Sequence, residues 1–304
     1  MKYGKKVWMN GRLVPFKNAN VHVLTHALHY STAVFEGIRC YNTSNGSAIF
    51  RLQEHIDRLF NSAKLYSMKM KYSKKQISNA IIKTVKASGL KECYIRPIAY
   101  CGVGAVGLTP PLDNVDVAIA CWEWKMGESK AGKVSGVKCK ISKWIRIDSR
   151  SQPMESKAAA NYSNAALARV DALKSGYDEA IMLNYEGKIA EGSAENIFIV
   201  KDAQIKTPPL ESGVLAGITR DSIIQIIKEN GGCVVETDLE KKDLFSAEEV
   251  FMTGTAAEVK SVTQIDKKRI GNGKPGNITQ ALQKSFKDVS MGNDDRFLSW
   301  LTYV

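Results

Sequence analysis

The chain has 304 residues, 44% apolar and 24% charged, a length suited to about two domains and a composition that excludes a disordered or low-complexity protein. The net charge of +12 raises a nucleic-acid partner, but the basic residues are scattered and the densest runs (64–75, 125–143, 267–274) alternate with apolar or glycine positions, as solvated faces do. No apolar run approaches membrane-spanning length, and Met1-Lys2-Tyr3-Gly4-Lys5-Lys6 lacks a signal peptide's apolar region, so a cytoplasmic protein with no membrane and no nucleic-acid partner is expected.

In chain order, Val7-Trp8-Met9, Asn10-Gly11 and Arg12-Leu13-Val14 read as a hairpin with a type I′ turn. Apolar residues at 52, 56, 59, 60, 63 and 66 predict a helix whose buried stripe leaves Arg58 to one side. Ser73 with Gln76 forms a capping box for a second helix that stops at Gly89. Strands follow over 93–100 and 116–124. Three glycines and few large apolar groups between 124 and 136 mark a linker, which divides the chain into an N-terminal domain (1–123) and a larger C-terminal domain (137–304). The second half predicts strands at 137–144, 179–184, 196–200 and 249–252, and helices at 164–174, 220–229 and 278–286. The six cysteines contain no C-x-x-C pair and read as reduced core thiols.

Gly102-Val103-Gly104-Ala105-Val106-Gly107 matches a dinucleotide-binding turn, but Thr109-Pro110-Pro111 cannot open the helix that such a turn needs. His22, His26 and His29 have metal-ligand spacing without an acidic residue between Val21 and Phe35 to complete a set, so no metal is expected. In Ser156-Lys157-Ala158-Ala159-Ala160-Asn161-Tyr162 a lysine sits among small side chains, a setting where desolvation turns an amine into a nucleophile, although most such lysines are simply solvated. Two small-residue turns, Gly217-Ile218-Thr219 and Gly254-Thr255-Ala256, each suit an anion through backbone amides and a hydroxyl. With a lysine and a carboxylate they form a set suited to a phosphorylated aldehyde. Glu191 and Glu195, four apart in a stretch read as extended, point the same way, and spacing does not choose between them.

Taken together, His26-Ala27-Leu28-His29-Tyr30, Phe35-Glu36-Gly37-Ile38-Arg39, Tyr94-Ile95-Arg96-Pro97, the Lys157 to Tyr162 stretch, Glu191-Gly192, Glu195-Asn196 and the two turns resemble the class IV pyridoxal-phosphate enzymes, specifically the branched-chain amino-acid aminotransferases. The resemblance spans nearly the whole chain. It implies an α/β fold with a smaller N-terminal domain and a larger C-terminal domain with a β-barrel-like core. The implied cofactor is pyridoxal 5′-phosphate, linked to Lys157, with Glu191 on its ring nitrogen and Tyr162 on its ring oxygen. Leu215 packs beneath the ring, Arg58, Ile218, Thr219 and Thr255 hold the phosphate, and Gly217 and Gly254 also belong to the implied cofactor-binding set. Tyr30, Phe35, Gly37, Tyr94, Arg96, Trp124 and Ala256 surround the amino-acid and 2-oxo-acid substrates, with Arg96 and Tyr30 on the distal carboxylate of glutamate. In such enzymes the linker and the 102–108 loop reach a neighbouring subunit, which implies a homo-oligomer, at least a dimer and up to a hexamer. Trp124 is followed by Lys125-Met126-Gly127, where family members commonly carry a tyrosine. A D-amino-acid aminotransferase or an aminodeoxychorismate lyase would share Lys157 and Glu191 but lack the paired Phe35–Arg39 and Tyr94–Pro97 motifs. A non-enzymatic basic binding protein would lack the cofactor's visible absorbance.

Overall fold

The computed structural model describes residues 1–124 and 136–304, which fall into two compact units. The first comprises residues 1–124, 156–160 and 289–304; the second comprises 136–155 and 161–288. Apart from its end residues, the linker expected over 124–136 lies outside the described residues, as does Lys125-Met126-Gly127.

The first unit is built on an antiparallel sheet in the order Leu301–Tyr303, Gly46–Phe50, Ile38–Thr43, Cys93–Cys101, Val115–Trp122, Lys6–Met9, Arg12–Pro15, with Ala33–Phe35 also paired to Cys93–Cys101. The expected hairpin forms because Asn10 (φ 45°) and Gly11 (φ 95°) accept the positive angles of its turn. Helix Lys74–Ser88 starts on the expected capping box, with the Ser73 side chain accepting from the Gln76 amide and the Gln76 side chain accepting from the Ser73 amide, and ends at Gly89 in the left-handed conformation. Helix Leu52–Leu65 buries Leu52, Ile56, Leu59 and Ala63 against Ile38, Ile49, Ile77, Ile81 and Ile95. Each such side chain contributes roughly 1.5–3 kcal/mol on burial. Strands Ala33–Phe35, Ile38–Thr43 and Gly46–Phe50 were not predicted, since they are short and largely buried and so show no alternation.

The second unit carries a mixed sheet curved into a half-barrel, in the order Ile189–Gly192, Glu179–Leu183, Val137–Ile141, Glu258–Ile265, Glu249–Gly254, Asn196–Lys201, Gln204–Thr207, Val234–Glu236. The mixed α/β class and the barrel-like second sheet agree with the sequence expectation. Helix Ala159–Lys174 begins five residues before the expected 164, because Ala159 and Ala160 extend it at no propensity cost, and it buries Ala165, Ala168 and Ala172 against Ala180 and Met182. The stretch read as extended between Glu191 and Glu195 instead turns, closed by a bond from the Gly192 amide to the Glu195 carbonyl. Of the expected core thiols, Cys233 is exposed and the other five are buried. Among the described residues no helix is long and apolar enough to cross a membrane.

Candidate active site

In the first unit, Lys157 is fixed through its main chain. Its amide donates to Ser62 Oγ (2.9 Å) and its carbonyl accepts from the Phe35 amide (3.0 Å), while Val34 bridges Ala158. The Lys157 Nζ atom lies 5.6 Å from the centre of the Phe35 ring, and the Arg96 guanidinium lies 4.7 Å from the same ring. Arg96 also stands over Tyr94 (5.4 Å) and Trp122 (5.7 Å), so three aromatic faces hold its plane. Tyr94 stacks on Trp122 and packs against Trp124, and a Cβ on Gly37 would collide with Tyr94 Oη. Only glycine fits there.

Arg58 is no surface side chain. It is 10% exposed and pairs side-on with the fully buried Glu36, Nε to Oε1 at 2.6 Å and Nη2 to Oε2 at 2.9 Å. His55, one helical turn earlier, donates from Nδ1 to Glu36 Oε2 at 2.7 Å. Burial alone would raise the Glu36 carboxyl, but the Arg58 charge, then His55 and the bonds from both, hold it well below the usual carboxylate range. Burial dominates at His55 and pushes it below its ordinary value despite Glu36, so the imidazole is neutral.

In the second unit the central group is Glu191, 4% exposed. Its Oε1 meets Arg146 Nη2 at 2.5 Å, and its Oε2 accepts from Asn196 Nδ2 (2.9 Å) and the Leu215 amide (3.2 Å). Asn196 Nδ2 also donates to the Leu215 carbonyl, and a Cβ on Gly217 would collide with Asn196 Oδ1. Gly217 is the N-cap of helix Ile218–Glu229, so amides at Ile218 and Thr219 open a helix end where an anion is favoured. Strand Glu249–Gly254 pairs Thr253 with Asn196 and leads into Thr255 and Ala256. The Thr253 hydroxyl is buried without a hydrogen-bond partner among the described residues. Glu195 is half-buried and bonds the Ala194 amide.

The structure thus brings Phe35, Gly37, Tyr94, Arg96, Trp124 and Lys157 together in one unit, with Arg58 tied to the Phe35–Arg39 motif through Glu36. It brings Glu191, Leu215 and Gly217 together in the other. Tyr162 is half-buried in the first turn of helix Ala159–Lys174. Tyr30 stands on the short helix His26–Tyr30, 39% exposed, its ring 4.6 Å from His26. The three histidines of that region are engaged with chain atoms: His26 with Thr32 and the Gly107 carbonyl, His29 with the Val23 carbonyl, His22 with the Leu24 amide. Glu36, His55, Arg146 and Asn196 were not singled out as site residues from the sequence. For Glu36 and Arg146 the signal available was a charged side chain between apolar neighbours, whereas His55 and Asn196 follow polar residues and gave none. A carboxylate held on two sides, a helix end that no larger residue than Gly217 can cap, and a buried unpaired hydroxyl form a donor set that fits a phosphorylated heteroaromatic cofactor.

The amino-transferase class IV family matches residues 33–265. The branched-chain-amino-acid aminotransferase of Pseudomonas aeruginosa is 40% identical over 298 residues, covering 98% of this chain and 97% of that protein. The T.th. branched-chain amino acid aminotransferase with pyridoxamine 5′-phosphate superposes with a TM-score of 0.95 at 42% identity, covering 100% of this chain and 99% of that one. The same protein complexed with N-(5′-phosphopyridoxyl)-L-glutamate gives 0.94 at 42% identity, covering 99% and 98%.

Proposed function

This chain belongs to the amino-transferase class IV family, and from that premise we propose that it moves amino groups between branched-chain L-amino acids and 2-oxoglutarate, with pyridoxal 5′-phosphate as its cofactor. The observation that carries the reading is the Phe35 ring, which has the Lys157 amine at 5.6 Å and the Arg96 guanidinium at 4.7 Å. A base and a carboxylate-binding cation beside one apolar surface suit a substrate that is an apolar amino acid in one half-reaction and glutamate in the other.

When bound, the cofactor supplies an aldehyde and an electron-withdrawing ring. Lys157 then acts at its Nζ atom, taking the α-proton of the amino acid and returning a proton in the second half of the turnover. Glu191, fixed by Arg146, Asn196 and the Leu215 amide, keeps the proton on the ring nitrogen. Leu215 would pack on the ring face and Tyr162 would donate to the ring oxygen. Arg58, the amides of Ile218 and Thr219, and Thr255 would hold the phosphate. Phe35, Tyr94 and Trp124 would supply the apolar wall, with Gly37 keeping Tyr94 close, and Ala256 is assigned to the substrate by the family resemblance. Arg96, with its guanidinium plane set by three rings, binds the distal carboxylate together with Tyr30. Leu and Val differ by one methylene, so discrimination between them is modest, about 1–3 kcal/mol.

The protein works as a cytoplasmic homo-oligomer with a dimer as its smallest active form. Val106 and Leu108, 89% and 88% exposed in the 102–108 loop, support a surface that a second copy covers. Lys157→Ala tests the central assignment. Transamination falls to background and borohydride no longer fixes the cofactor to the chain, whereas turnover beyond a trace, with cofactor still fixed, would move the role to another lysine.

A further inference from the structure

We infer that Glu36 is a positioning residue for Arg58, holding the guanidinium in place before the phosphate arrives, with His55 as the group that fixes Glu36. The inference rests on the reading that Arg58 meets the cofactor phosphate. Glu36 is completely buried and both its oxygens are occupied, Oε1 by Arg58 Nε and Oε2 by Arg58 Nη2, His55 Nδ1 and the Gly37 amide (3.2 Å). Rotating the carboxylate would break several of these bonds at once. Two of the five guanidinium donors are committed to Glu36, and that side-on pairing fixes the plane in which the others lie. His55 and Arg58 stand three residues apart on helix Leu52–Leu65, so one helical turn presents both to the same acceptor.

A long, flexible arginine loses rotamer freedom on capturing an anion, and affinity is higher when that freedom is already lost. A carboxylate also has the opposite electrostatic influence, since it cancels part of the positive charge that draws the phosphate. The two effects predict opposite outcomes for Glu36→Gln. Positioning predicts looser retention of the cofactor; charge cancellation predicts tighter retention. The geometry favours positioning, because Glu36 grips the arginine through two short bonds and is itself clamped from a second side by a neutral histidine.

The experiment uses holoenzyme of wild type, Glu36→Gln and Arg58→Leu, loaded with pyridoxal 5′-phosphate or with pyridoxal, which lacks the phosphate. Release on dilution is followed by the loss of cofactor absorbance. Glu36→Gln is expected to release the phosphorylated cofactor about tenfold or more faster than wild type while releasing pyridoxal at the wild-type rate. Fast release from Arg58→Leu with unchanged release from Glu36→Gln overturns the positioning role and leaves the phosphate reading standing. Unchanged release from both variants removes Arg58 from the phosphate and the inference with it. Equal acceleration for pyridoxal and its phosphate shows a general structural role and overturns the inference, as does slower release from Glu36→Gln. If Glu36→Gln does not fold, His55→Gln carries the same comparison, with a several-fold, phosphate-dependent acceleration expected.

Discussion

Removing Arg146 isolates the chemistry of the buried Glu191 carboxylate. Both side chains are nearly inaccessible, Arg146 7% and Glu191 4% exposed, and they meet at 2.5 Å. Arg146→Met keeps the aliphatic volume but leaves a buried carboxylate that retains its bonds from Asn196 and the Leu215 amide. Breaking a buried pair from one side costs about 3–5 kcal/mol. The surviving bonds offset part of that, each bond to a charged group being worth about 1.5–3 kcal/mol, so a loss near 2–4 kcal/mol is expected for apoprotein. Urea unfolding of the apoprotein reads this as a drop in midpoint at constant slope. Glu191→Gln in the same background should restore most of the loss, because the uncompensated charge is gone. A loss below about 1 kcal/mol for Arg146→Met, or a double variant no more stable than the single, refutes the argument that Arg146 compensates the buried Glu191 side chain.

Arg96→Leu should cut the half-reaction with L-glutamate at least tenfold more than that with L-leucine, since the lost bidentate partner serves only the substrate with a second carboxylate; equal losses in single-turnover assays would assign Arg96 to the fold. Gly217→Ala drives a methyl into Asn196 Oδ1 and turns its amide away from Glu191, so cofactor retention should fall by about tenfold or more on dialysis, and a crystal structure with Asn196 unmoved would contradict this. His55 has its folded value depressed below the ordinary 6.5, so the stability it confers is complete above that pH and is lost as pH falls toward the lowered value, by at most about 1.4 kcal/mol per pH unit. Glu36, whose folded value is also depressed, adds its own loss only below its ordinary 4.5. His55→Asn should therefore flatten the stability profile between pH 6.5 and 4.5 relative to wild type, as urea titrations at fixed pH would record; an unchanged slope would show that His55 is already charged in the fold.

What the sequence made legible follows the range of the forces involved. The Asn10-Gly11 turn and the Ser73/Gln76 box are local devices whose partners lie within four residues, and both form where expected. Helix Leu52–Leu65 was legible as a stripe with Arg58 beside it, but the burial of Arg58 was not, because it depends on a carboxylate 22 positions away in sequence. Glu191 and Glu195 were inseparable by parity because parity assumes an extended chain, and the turn at 193–195 sends one carboxylate to Arg146 and the other to its own neighbouring amide. Arg146 itself lies 45 residues from Glu191 and 50 from Asn196, and no periodicity in the sequence connects the three.

The last strand of the first unit's sheet, Leu301–Tyr303, pairs with Gly46–Phe50, and the Arg51 amide bonds the Trp300 carbonyl beneath the stacked guanidinium. Every residue of the second unit is therefore synthesised before the first can close its sheet. Until then Gly46–Phe50 waits with one side of its backbone unpaired, an open template for another chain. Closure of the amino-terminal unit's sheet consequently waits until residues 301–303 have been made. A fragment ending before residue 289 would carry that adhesive edge permanently, so aggregation of such fragments is the expected fate even where every group that touches chemistry is present.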